Sequence, residues 1–149
     1  MIKKYDIKDK PALIALLKLH VSDYFAASEV NEYNHYLEHE IEDYFVVIEN
    51  NVIIGAGGIN YFPKQSLAKI AWDMIHPDHQ GKGIGHELLK YRLELIHKNS
   101  TIKTVMVRTS QVAYQFYQKA GFDLEKIEKD FWAKGFDLYQ MKFKNSSLT

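Results

Sequence analysis

The 149-residue chain has no cysteine, three prolines and no apolar stretch that approaches the roughly 20 residues a bilayer-spanning helix needs. Without cysteine there can be no disulfides, no thiolate metal sites and no cysteine nucleophile. The same absence fits a reducing compartment, and a cytoplasmic location is the expectation. The opening Met-Ile-Lys-Lys-Tyr-Asp lacks the apolar core and small-residue cleavage pattern of a secretory signal, so no membrane partner is expected. Net charge is also lacking: 19 Lys and Arg balance 19 Asp and Glu, and no global field draws the chain toward a polyanion. Bases and acids are interspersed and the tyrosines fall mostly at helical, core-like spacings. No nucleic-acid partner is therefore expected.

At 46% hydrophobic residues, a chain of this length can bury roughly 70% of its unfolded surface in one core. A single domain over residues 1–144 is expected, followed by a polar tail at 145–149 that should fray. Residues 2–5 read as a short strand. Asp9 and Pro11 suit a helix start, with Leu13, Leu16, Leu17 and His20 on a buried stripe. The stretch 23–43 contains Tyr33, Leu37 and Ile41 at i,i+4 spacing and predicts a second helix. Residues 45–48 and 52–62 predict a hairpin turned by Asn50 and Asn51, whose second arm holds Gly55, Gly57 and Gly58. Those glycines predict either a bulge and close backbone approach or simply a crowded sheet.

A strand at 67–75 comes next, then a helix at 84–96 with Ile84, Leu88, Tyr91 and Leu95 on one side, and a strand at 102–107. A short helix at 111–119 stopped by Gly121 leads to strands at 122–131 and 136–143. The order is mixed α/β and predicts one central mixed sheet flanked by helices.

Three glycines spaced two apart, in Gln80-Gly81-Lys82-Gly83-Ile84-Gly85, stand between the 67–75 strand and the helix that follows. A dinucleotide fingerprint starting at Gly81 needs glycine where His86 stands, and one starting at Gly83 needs glycine where Leu88 stands. A triphosphate loop needs Gly-Lys-Ser/Thr, which does not occur. Glycine amides at a helix N-terminus nevertheless converge on an anion, with Lys82 at the rim, and a phosphate or pyrophosphate fits such a cradle. A bare strand-to-helix turn is the alternative.

The Gln80–Gly85 run fits the Gln/Arg-x-x-Gly-x-Gly/Ala signature of the GNAT superfamily of N-acetyltransferases. A second stretch, Ala113-Tyr114-Gln115-Phe116-Tyr117-Gln118-Lys119-Ala120-Gly121-Phe122, resembles that superfamily's later signature in the same order along the chain. The resemblance implies acetyl-CoA as cosubstrate and a GNAT-like acyl-CoA N-acyltransferase fold with a splayed sheet. It implies that backbone near Met74 and Ile75 receives the pantetheine and acetyl carbonyl, that residues 80–85 cradle the pyrophosphate, and that Tyr117 protonates the departing CoA thiolate. Ser110 stands where many relatives carry asparagine; it can cap the 111–119 helix with a shorter reach.

A general base is less marked. Asp73 lies in a strand otherwise suited to burial, so it needs a partner or a use. Plain alternation puts it on the same face as Lys69, Ala71 and Ile75. It is a candidate base or cation-binding group, the alternative being a fixed ionic contact to Lys69 or Arg108. His35 and His39 do not form His-Glu-x-x-His and have no clear third ligand, so no metal is expected. They join Tyr24, Tyr33, Tyr36, Glu32 and Glu38 as candidates for the acceptor wall. Trp132 is expected either to cover substrate or to form a homodimer surface.

Taken with the resemblance, these residues predict direct acetyl transfer from acetyl-CoA to a primary amine of a small molecule. The alternatives are a peptide or protein N-terminus as acceptor, or a non-catalytic acyl-CoA-binding domain.

Overall fold

A computed structural model describes residues 1–144; the tail at 145–149 lies outside the described residues. The chain runs β1 (Ile2–Lys4), α1 (Lys10–Lys18), α2 (Glu29–His35), β2 (Asp43–Glu49), β3 (Val52–Phe62), β4 (Leu67–Ile75), α3 (Ile84–His97), β5 (Thr104–Thr109), α4 (Tyr114–Lys119), β6 (Phe122–Ala133) and β7 (Phe136–Phe143). The seven strands form one sheet in the order β1-β2-β3-β4-β5-β7-β6, antiparallel except at β4–β5. This is the expected mixed sheet with flanking helices. Asn50 and Asn51 both take positive φ, as a tight hairpin turn requires, and two residues that tolerate that conformation suffice without glycine.

The two faces of the sheet carry separate cores. Leu88, Leu89 and Ile96 of α3 pack with Phe45, Ile70, Val107 and Phe122 on one face. Leu13 and Leu17 of α1 pack with Tyr33, Tyr44, Val46 and Met74 on the other. Fully burying a side chain of this size contributes about 1.5–3 kcal/mol, so both faces anchor the sheet.

Several local expectations need correction. Asp9 does not cap α1; its carboxylate accepts from the Asp6 amide at 3.0 Å, closing a capping box around a 3-10 turn at Ile7–Asp9. The second helix is only Glu29–His35, continued by a π turn at Tyr36–Glu40. The buried stripe of α3 is Leu88, Leu89, Arg92 and Ile96, so the expected stripe was rotated: Tyr91 is partly exposed and an arginine is inside. The last helix begins at Tyr114, not at residue 111. Gln111 instead braces the β6–β7 hairpin, donating to the Gly135 carbonyl at 2.6 Å and accepting from the Asp137 amide at 2.9 Å.

Candidate active site

The site begins with a break in the sheet. β4 and β5 pair in parallel only from Leu67–Thr104 to Ile70–Val107. Beyond Ile70 the β3–β4 register also shifts. Gly58 faces Ala71 and Ala56 faces Met74, so Trp72 and Asp73 together oppose Gly57. Two residues against one is a β-bulge, which bends the strand and re-aims side chains. Trp72 takes φ 49°, a costly conformation for a bulky residue. Its carbonyl is held by the buried Tyr44 hydroxyl at 2.7 Å, and Tyr33 donates to Tyr44 at 2.8 Å. Tyr33, expected on the acceptor wall, is thus a core residue that holds the bulge.

The bulge changes where Asp73 points. Plain alternation would keep it with Lys69; instead it turns to the α3 face, where its Oδ1 accepts from Arg92 Nη1 at 2.5 Å. Neither Lys69 nor Arg108 is its partner. Arg92 is 1% exposed and also donates to the Leu88 and Gly58 carbonyls, so its charge is buried but satisfied. Gly57 makes room for the pair: a Cβ there would lie 2.2 Å from Asp73 Oδ1 and 2.7 Å from Arg92 Nη1. In this glycine-rich arm, close approach is the requirement at Gly57.

Asp73 Oδ2 accepts a 2.5 Å hydrogen bond from the Tyr117 hydroxyl. Tyr117 is held well above the ordinary phenol pKa, first by burial and then by the charge and hydrogen bond of Asp73, with Arg92 opposing. The hydroxyl is therefore a protonated donor throughout the neutral range. Asp73, Arg92 and Tyr117 come from β4, α3 and α4, and all three line a cleft of about 900 Å³.

Of the residues expected in the site, Met74, Ile75, Gln80, Gly81, Gly83, Ile84, Gly85 and Ser110 also line this cleft, whereas Lys82 is exposed and does not. Gln80 has a bracing contact: its Nε2 donates to the Ile75 carbonyl at 3.1 Å, tying the glycine loop to the end of β4. Gly83 caps α3 at φ 83° with no side-chain cap, leaving the first amides of a 14-residue helix without intrahelical partners. A Cβ on Gly81 or Gly83 would meet nothing within 4 Å, so left-handed backbone and open space, not a neighbouring protein atom, call for glycine there. Free amides facing open space fit a pyrophosphate. Ser110 is buried; its Oγ lies 3.4 Å from the Val112 amide, a weak contact in the turn before α4.

The expected acceptor wall is only partly brought together. Tyr24, Tyr36 and Trp132 line the cleft, and Trp132 Nε1 donates to the Thr109 carbonyl at 3.0 Å. Glu32, Glu38, His35 and His39 do not line it; Glu38 pairs with Lys10, and the rings of His35 and His39 pack 4.8 Å apart. Glu29 and His20, singled out only as helix or stripe positions or not at all, do line it. Glu29 is 6% exposed, accepts from the Ala26 amide at 2.8 Å, and is pushed up to about 7 by burial. His20 is buried with Nε2 unpartnered, and burial lowers its pKa. Among the described residues no group of three or more His, Asp or Glu could hold a metal ion, and no helix is long and apolar enough to cross a membrane.

A sheet parted between two parallel strands, with an uncapped helix at the mouth of the wedge, defines a GNAT-like acyltransferase fold. Residues 18–145 match the family described as Acetyltransferase (GNAT) domain, and the chain belongs to the GNAT superfamily. It is 30% identical over 95 residues to an amino-acid acetyltransferase of Mannheimia succiniciproducens, covering 62% of this chain and 20% of that protein. The chain thus matches about a fifth of the length of that relative. Among solved structures it is similar to the ribosomal-protein-S18-alanine N-acetyltransferase of Escherichia coli, with TM-score 0.75 and 17% identity over 96% of this chain and 92% of the other. An aminoglycoside 6'-N-acetyltransferase complexed with coenzyme A gives TM-score 0.75 and 14% identity over 95% of both chains. At these identities the solved structures establish the shared fold.

Proposed function

We propose that the chain transfers the acetyl group of acetyl-CoA directly to a primary amine of a small molecule. The observation that carries this reading is the Arg92–Asp73–Tyr117 chain of hydrogen bonds beside the parting of β4 and β5. Residues 80–85 and the first turn of α3 would hold the pyrophosphate, and backbone at Met74 and Ile75 would take the pantetheine and acetyl carbonyl. The amine attacks the carbonyl carbon, the C–S bond breaks, and the sulfur receives a proton from the Tyr117 hydroxyl.

Burial and Asp73 make a lasting Tyr117 phenolate costly. The proton therefore leaves Tyr117 together with delivery of another from Asp73, which has taken it from the attacking amine. The thiol thus gains the former Tyr117 proton, the amine proton replaces it on Tyr117 by way of Asp73, and each side chain returns to its starting state. Arg92 keeps Asp73 aimed while this occurs. Asp73 thus serves as base and relay, and Tyr117 as acid.

The test is thiol release from acetyl-CoA against panels of small amines and peptide N-termini, with product masses recorded. A small amine gaining one acetyl group supports the reading. Acetylation confined to peptide N-termini, or coenzyme binding with no transfer to any amine, overturns it.

A further inference from the structure

The face of the sheet opposite α3 presents to the cleft two cations that have no ion-pair partner among the described residues. Lys69 of β4 pairs in register with Met106 of β5, and Arg108 lies two residues further along the same strand. Their neighbours Ile70 and Val107 enter the α3-side core, so alternation sends Lys69 and Arg108 to the other face. Asn60, the partner of Lys69 on β3, confirms the direction: its side chain bonds Tyr36 in the π turn after α2. Both cations line the cleft.

Neither forms an ion pair among the described residues. Aromatic rings accompany them instead. Lys69 Nζ stands 4.6 Å over the Phe62 ring, and the Arg108 guanidinium lies 4.9 Å from the Phe131 centroid. Ring faces attract a cation without cancelling its charge. Arg108 Nε is buried with no hydrogen-bond partner. The Lys69 ammonium is pushed down by burial and then by the Arg108 charge. Of the three carboxylates that line the cleft, Asp73 is engaged by Arg92 and Tyr117 and Glu29 by the Ala26 amide, while Glu40 of the π turn forms no ion pair with either cation.

Two like charges held together on a partly buried surface repel each other, and an orphaned guanidinium donor adds to the cost. An anion placed between them relieves both. We propose that Lys69 and Arg108 seat a carboxylate of the acceptor, so that the preferred acceptor is a small amine that also carries a carboxylate. A planar carboxylate matches the guanidinium fork, while the ammonium supplies a second point charge. The proposal rests on reading the cleft as an acetyl-transfer site, and it names the acceptor's second functional group.

The test compares free amino acids with the corresponding amino-acid amides as acceptors in the full chain. Amides have the less basic amine and present more neutral nucleophile near neutral pH, so a preference for the acids cannot come from amine protonation. The expected result is a kcat/KM ratio of about ten to a hundred in favour of acids, residing in KM. Lys69→Gln and Arg108→Gln should each collapse that ratio, Arg108→Lys should keep part of it, and Lys69→Glu should invert it. The ratio is the readout, and melting curves establish that each variant is folded.

Equal use of acids and amides by the unaltered chain, an unchanged ratio in folded variants, or preference for acidic peptides over every free amino acid overturns the proposal. If no amine is acetylated, the transfer reading fails and the seat is judged by calorimetry with N-acetylglycine and N-acetylglycinamide in the presence of CoA. Tighter binding of the acid, lost in Lys69→Gln, upholds the seat. Equal binding of the two removes it.

Discussion

The hydroxyl of Tyr117 and the carboxylate of Asp73, 44 residues apart in sequence, share a 2.5 Å hydrogen bond, with Arg92 on the other carboxylate oxygen. The tyrosine reaches this contact from α4 and the aspartate from a bulge in β4, so the pair depends on the tertiary packing of two elements distant in sequence.

Removing the Tyr117 hydroxyl should separate chemistry from binding. Tyr117→Phe is expected to lower kcat by about 10²–10⁴, with little change in the KM for acetyl-CoA. Burial and Asp73 raise the Tyr117 pKa, so the unaltered chain should show no alkaline limb from this group below about pH 10. Thiol release measured across pH in both proteins checks the two statements. A Tyr117→Phe variant of full activity would eliminate the assigned acid.

Removing the charge of Asp73 should affect both stability and Tyr117. Asp73→Asn leaves Arg92, at 1% exposure, without its counter-ion, and a loss of about 3 kcal/mol in urea unfolding is expected. The Asp73 charge also raises the Tyr117 pKa, so in the variant that pKa falls toward the phenol value while burial still holds it up. Pairing Asp73→Asn with Arg92→Met removes both charges and should regain part of the lost stability, which a double-mutant cycle measures.

Adding one methyl group at Gly57 should force Asp73 and Arg92 apart. The new Cβ would sit 2.2 Å from Asp73 Oδ1. Gly57→Ala is expected to cost about 1–3 kcal/mol from overpacking and to lower kcat along with it. The same substitution at Gly135, which meets nothing within 4 Å, carries only the strain of positive φ and should leave kcat alone.

Stability should fall as pH rises through the range in which Glu29 ionises. Its folded-state pKa is pushed up to about 7 from an ordinary 4.5, chiefly by burial. Between those values the folded chain holds the proton and the unfolded chain has released it. The favourable contribution is therefore complete below the lower value and gone above the higher one. Glu29→Gln should flatten this part of the curve. Melting temperatures of both proteins from about pH 4 to about pH 8 provide the check.

Much of this architecture was legible along the chain. The Asn50-Asn51 turn, the strand at 67–75 and the glycine loop at 80–85 each depend on local chemistry, and local chemistry shows in residue type and spacing, whereas Tyr117 was singled out through the resemblance to the GNAT superfamily. Arg92 was not legible. An arginine on an amphipathic helix reads as solvent-facing, and its burial depends on a carboxylate 19 residues earlier and a glycine beside it. The bulge was hidden for a related reason. Nothing about tryptophan announces positive φ at position 72; the conformation is held by Tyr33, which a helical period marks without naming its target, and by Tyr44 of β2, which no pattern singles out. The late start of α4 escaped because Gln111 spends its side chain on the distant β6–β7 hairpin.

The bulge at Trp72 also acts as a change of parity. Along a regular strand, odd-numbered residues share one side, and Lys69 and Asp73 would be co-facial. The extra residue opposite Gly57 advances the count by one, so the cation stays on one side of β4 and the carboxylate crosses to the other. If Trp72 alone stood against Gly57 and every later residue of this nine-residue strand paired one step out of its present register, the two sides would be exchanged, sending Asp73 away from Arg92 and Met74 toward it.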